Sequence, residues 1–287
     1  MKAIYKKELK GYFTSFIGYA FIAFFLLITG IYFSAYNLAN GYANFEYTLS
    51  GISFIFFILT PILTMRLMAE ERHQRTDQLL ITSPVSIEKI VLGKFLATIT
   101  VFLICIGIIC LYPLILKAYG QVSLGTAYAS IIGFALEGMA FIALGMFIST
   151  CCENQVVSAV VSFIATMVLY FITALTGMFP TDNRTAVIFV SVLLILAWVL
   201  IYYLIKALLV SIAGFAVCEA TAIVLYFFKS SLYDGLIGKL GTSLSITARF
   251  DTFTSGEISL SAIVYLVSFI FIFVFLSVQV IKRRRWN

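Results

Sequence analysis

Residues able to do chemistry are scarce in this chain and gather in one place. Met68 to Phe95 reads MAEERHQRTDQLLITSPVSIEKIVLGKF. It holds four acids (Glu70, Glu71, Asp77, Glu88), four Lys/Arg (Arg72, Arg75, Lys89, Lys94) and the single histidine, His73. Glu70-x-x-His73 has the spacing of a carboxylate-bridged di-iron ligand pair, but such a site needs a second copy on another helix. With one histidine there is no multi-histidine metal site. No G-x-S-x-G nucleophile elbow occurs. The run GLIGKLGTS, Gly235 to Ser243, is a failed phosphate loop: Leu240 follows Gly238-Lys239 where Ser or Thr is needed, and Tyr233 stands where the first glycine would fall. The cysteines Cys105, Cys110, Cys151, Cys152 and Cys218 lack metal-ligand spacing and form no disulfide framework. The chain reads as non-enzymatic, with no metal and no cofactor of its own.

The elements that carry these residues are apolar. The 287 residues are 62% hydrophobic and 11% charged, with mean hydropathy +1.07, against about 25% charge in soluble domains. Too little polar surface exists to cover a water-soluble globule. Apolar runs near 20 residues long read as membrane-spanning helices, and the alternating ten-residue segments of a transmembrane barrel do not appear. The fold class is an all-α polytopic membrane protein.

Eight spans are expected, at roughly 16–37, 51–69, 95–116, 126–149, 156–178, 186–205, 207–228 and 259–281. The stretch 186–228 is about twice the hydrocarbon thickness and must turn back on itself, with Lys206 the expected turn. Residues 1–15 form a basic amphipathic helix in the interface, with Lys2, Lys6 and Lys10 on one face. Eight spans place both termini on one side, and the Lys/Arg residues divide fourteen to five in favour of that side. The positive-inside rule makes it cytoplasmic. The net charge of +6 follows from this bias and implies no nucleic-acid partner. Residues 229–258 lie outside, where Leu232, Leu236, Leu240 and Leu244 mark an amphipathic helix.

Ionisable residues inside spans are costly and face protein or water. Glu137 and Glu219 each read two ways, as lining of a translocation path or as a packing hydrogen bond to a neighbouring helix. Lys206 reads as a turn residue. Gly133, Ala135, Gly138, Ala143 and Gly145 form a small-residue surface for close helix approach, within the subunit or at a dimer face. The charged insert has its own order. Arg66–Glu70 and Glu71–Arg75 are i,i+4 pairs that extend a helix out of the second span. Leu79, Leu80 and Ile81 make an apolar knob. Ser83-Pro84 and Ser86 with Glu88 are helix-start signals. A mere connector could be far shorter. The insert reads as a docking element for a cytosolic partner.

Here the sequence resembles type-2 ABC exporter permeases, the family that includes gliding-motility-type and copper-nitrous-oxide-reductase-maturation permeases. In that family the second span runs into a pattern like E-E-x-x-x-G-T-x-E-L-L-x-T-x-P, and a G-K pair opens the third. Glu70, Glu71, Thr76, Leu79, Leu80, Thr82, Pro84, Gly93 and Lys94 match; Arg75 replaces the usual Gly and Gln78 the usual Glu. IYKKELKGYF resembles the family's interfacial helix, and Leu244–Ser268 its outer segment and last span. The resemblance implies a single permease domain over 1–287. Its parts are an interfacial helix (1–15), a cytosolic coupling helix (68–94), a six-span core, an added span pair (186–228) and an extracytoplasmic segment (229–258). It implies a bacterial plasma-membrane exporter in which two permease subunits, identical or sister chains, pair with two cytosolic ABC ATP-binding subunits that carry the ATP and Mg. The implied docking residues are Glu70, Glu71, Arg75, Thr76, Asp77, Gln78, Leu79 and Leu80. A different reading is a proton-coupled secondary transporter working through Glu137 and Glu219; a third is a membrane scaffold without transport.

Overall fold

The computed structural model describes residues 1–76, 85–180, 182–205, 214–215, 218–221, 226, 228 and 233–286. The fold is all-α and polytopic, as expected. Its helices are α1 (Lys2–Thr14), α2 (Phe16–Phe33), continued by a π-helical turn at Ser34–Ala39, α3 (Phe45–Ile52), α4 (Ile55–Thr64) and α5 (Ala69–His73). Then come α6 (Ile87–Ile109), α7 (Tyr112–Tyr119), α8 (Leu124–Cys151), α9 (Gln155–Gly177), α10 (Asn183–Ile205), α11 (Leu236–Leu244), α12 (Ile246–Thr254) and α13 (Leu260–Trp286). Among the described residues five helices are long and apolar enough to cross a membrane, and six if α3 and α4 form one span bent by 58°. These six correspond to the expected spans 1–5 and 8. Lys206 and most of the expected span at 207–228 lie outside the described residues.

The chain divides into two compact units, residues 1–170 with 246–287, and residues 171–245. In the first unit α8 is the central and most buried span. Its glycines explain why. A Cβ on Gly133 would stand 2.6 Å from the ring of Phe253, one on Gly138 would collide with Phe102 and Phe56, and one on Gly145 with Thr64. The small-residue surface therefore receives side chains of the same subunit. Around it Phe25, Phe56, Phe102, Phe134 and Phe141 interlock, with ring centroids 4.6–6.5 Å apart. Tilted and edge-on pairs of this kind add to the packing energy of their area.

The second unit holds α10 and α11. The buried face of α11 is Ile237 and Gly241, against Ala186 and Tyr233. Leu240 and Leu244 point outward, and Leu232 is outside the described residues. Leu236 packs partly against the same cluster, so the leucine stripe straddles the edge of the packed face. Gly241 lies in that face because Thr176 lies where its Cβ would be. Gly235, at φ +63, supplies the left-handed start of α11.

Candidate functional site

The charged insert begins where α4 ends. An α-helix leaves its last carbonyls and the next helix's first amides without internal partners. At this corner other helices supply them. Tyr12 Oη of α1 donates to the Leu63 carbonyl (2.9 Å) and meets Thr98 Oγ1 (3.2 Å). Burial pushes the Tyr12 hydroxyl well above its usual titration range, so it stays a donor. Ser149 Oγ, buried near the end of α8, accepts from the amides of Met68 and Ala69 and donates to the Met65 carbonyl, all at 3.2 Å. Lys94 Nζ of α6 donates to the Leu67 carbonyl (2.7 Å).

Lys94 is only 1% exposed. A buried ammonium needs carboxylate partners. It has Glu71 Oε2 at 2.9 Å and Glu8 Oε1 at 3.1 Å, and Lys7 closes the group at 3.3 Å from Glu71 Oε1. Residues from α1, α5 and α6 thus meet in one ion cluster. Arg66 holds Glu70 with two bonds of 2.6 Å, a bidentate fork of the stronger kind. On the far side Arg72 pairs with Glu153 and donates to the Cys151 carbonyl (3.4 Å).

The helix α5 ends in a Schellman turn. Arg75 has φ 57 and its amide bonds the Arg72 carbonyl (3.1 Å), while the Thr76 amide bonds the Glu71 carbonyl (2.9 Å). This accounts for the position: a left-handed residue is most easily glycine, and here an arginine occupies it. The same conformation turns Arg75 off the helix. The expected Glu71–Arg75 pair is therefore replaced by Glu71–Lys94, whereas Arg66–Glu70 forms as expected. Asp77, Gln78, Leu79 and Leu80 lie outside the described residues, as do Ser83 and Pro84. The chain resumes as α6 with Ser86 at the N-cap position, the second of the two starts read from sequence.

Glu137 lies in α8 with no exposure, and Ser53 Oγ, at the break between α3 and α4, donates between its two oxygens at 2.9 and 3.0 Å. In the second unit Ser191 Oγ donates to Glu219 Oε1 at 2.5 Å. Both carboxylates have the packing hydrogen bond that one of their two readings required. Sequence reasoning missed Lys94 as a buried charge, Glu46 as a second buried carboxylate in the bent pair, and Ser149 as a corner clamp. Position could have flagged Lys94, which stands eight residues after Ser86 inside an apolar helix. Nothing local marks Ser149. Among the described residues no group of three or more His, Cys, Asp or Glu could hold a metal ion.

These features define a multi-pass membrane protein whose second span leads into a short helix, α5, that is held by side chains of other helices. A family model described as ABC-2 family transporter protein matches residues 28–193, more than half the chain. The chain belongs to that family and is a permease component of an ABC transporter. Such permeases are membrane components, distinct from the ATPase, and associate with ATP-binding subunits. Comparison with curated proteins gives no match.

Proposed function

We propose that this chain is the membrane-spanning subunit of a type-2 ABC exporter in a bacterial plasma membrane, with both termini cytoplasmic. Two such subunits, identical or sister chains, would pair with two cytosolic ATP-binding subunits, which bind the ATP and Mg and drive transport. The supporting observation is the clamped corner at residues 63–76. Backbone groups there are bonded by Tyr12, Lys94 and Ser149 from three other helices. A push on α5 is thereby delivered to α1, α4, α6 and α8 together. Coupling needs such an element with two arrangements that the nucleotide state biases.

In this reading the docking residues divide by task. Glu70 and Glu71 hold α5 to its own subunit and so set its position. Arg75, Thr76, Asp77 and Gln78 meet the ATPase, and Leu79 and Leu80 fill a cleft in it. The test is co-purification of the tagged chain with the ATP-binding protein encoded beside it. Leu79→Asp with Leu80→Asp should leave the subunit in the membrane and abolish both co-purification and transport-linked ATPase activity. Undiminished co-purification by that variant overturns the assignment of the docking segment. Failure of the wild type to bind any ATPase overturns the exporter reading.

A further inference from the structure

The helix α1 has two faces with different fates. Tyr12 is buried, Tyr5 and Leu9 are half-buried against the rest of the subunit, and Glu8 reaches Lys94. Lys2, Lys6 and Lys10 stand exposed on the other face. The ion pairs of α1 use Lys7 and Glu8, and none of the three exposed ammonium groups has a carboxylate partner among the described residues. Spaced four apart, they form a row about 12 Å long at 1.5 Å per residue.

The level of this row identifies what it faces. Tyr5 Oη meets Thr100 Oγ1 at 3.0 Å and Tyr12 Oη meets Thr98 Oγ1 at 3.2 Å. Those threonines lie roughly 15–20 Å along α6 from its first residue. Leu92, Leu96 and Leu103 of α6 are exposed along the same stretch, and α1 leads through Ser15 into α2 with Phe16 83% and Tyr19 57% exposed. Exposed leucines and aromatics beside the row mark lipid rather than a water-bathed protein surface. Lysines next to them reach headgroup depth by snorkelling.

We propose that the Lys2–Lys6–Lys10 face of α1 is a recognition surface for anionic phospholipid headgroups. The lipid phosphates supply the countercharge that the described residues do not place there. Because the opposite face of α1 carries Glu8 into the Lys94 cluster, the lipid contact bears on the same helix that holds α5. This inference rests only on the membrane class of the chain, not on the exporter reading.

The probe is phosphatidylglycerol against phosphatidylcholine. The purified full chain is equilibrated with equal amounts of both in mixed micelles, and retained lipids are counted by native mass spectrometry. A lysine at an anionic surface is worth about a fivefold gain in partitioning, so three give roughly a hundredfold preference. Wild type should retain phosphatidylglycerol selectively, and the preference should collapse when salt is raised about tenfold. The Lys2→Gln, Lys6→Gln, Lys10→Gln variant should lose the preference while keeping phosphatidylcholine retention and its thermal transition. An unchanged preference in that variant, or a preference indifferent to salt in wild type, overturns the proposal. Loss of ATP-binding-subunit co-purification with lipid preference intact would make the face a protein interface and also overturn it. If the triple variant fails to fold, the salt titration of wild type decides alone.

Discussion

Lys94→Met is the substitution that tests the clamped corner most directly. Methionine keeps much of the stem volume and removes the charge. Lys94 has three partners, Leu67 O at 2.7 Å, Glu71 at 2.9 Å and Glu8 at 3.1 Å, and its side chain is 2% exposed. Removing one member of a buried ion pair costs about 3–5 kcal/mol. Two features reduce that here. The Glu8 and Glu71 side chains keep 17% and 15% of their exposure, and Lys7 stays within 3.3 Å of Glu71. About 2–3 kcal/mol remains, which at 2–4 °C per kcal/mol is roughly a 5–10 °C fall in the melting transition. Size-exclusion thermostability in detergent reads it. The double variant Lys94→Met with Glu71→Gln should be less destabilised than the sum of the singles, with a coupling of about 1–2 kcal/mol. A shift under about 2 °C, or strict additivity, would refute the reasoning that this cluster holds α5 to α6.

Three other outcomes are expected. Arg75→Gly should relieve a left-handed strain of about 1 kcal/mol, seen as slower amide hydrogen exchange across residues 69–76; faster exchange would contradict the Schellman turn. Gly138→Ala should cost about 1–3 kcal/mol by overpacking against Phe102 and Phe56, whereas Gly125→Ala, with open space around its Cβ, should be neutral in the same thermal assay. Glu137→Gln should hold the fold because its amide oxygen still accepts from Ser53, while Glu137→Leu leaves Ser53 Oγ unpaired and should cost about 1–3 kcal/mol, again read as a melting shift.

Much of the fold is legible because helix and span are local properties. The six apolar runs that match spans in the structure are visible one window at a time, and so is the i,i+4 pair Arg66–Glu70. The site is less legible. Sequence periodicity pairs Glu71 with Arg75, its neighbour one turn on. The structure pairs it with Lys94 and Lys7, because the chain leaves the helix at Arg75. Ser149 clamps Met68 and Ala69 from about 80 residues away, and no local pattern encodes that.

The sequence by itself determined the solvent of this protein and the helical character of its spans. Hydropathy sums residue by residue, and no packing arrangement can reverse an excess of apolar surface. Only the tertiary structure decided which charges meet. A buried Lys94 is tolerable solely because Glu8 and Glu71 arrive from two other helices, and Glu137 because Ser53 lies at a helix break against it. The energy of each such group depends on partners far away in the chain, so its role is set where the helices cross.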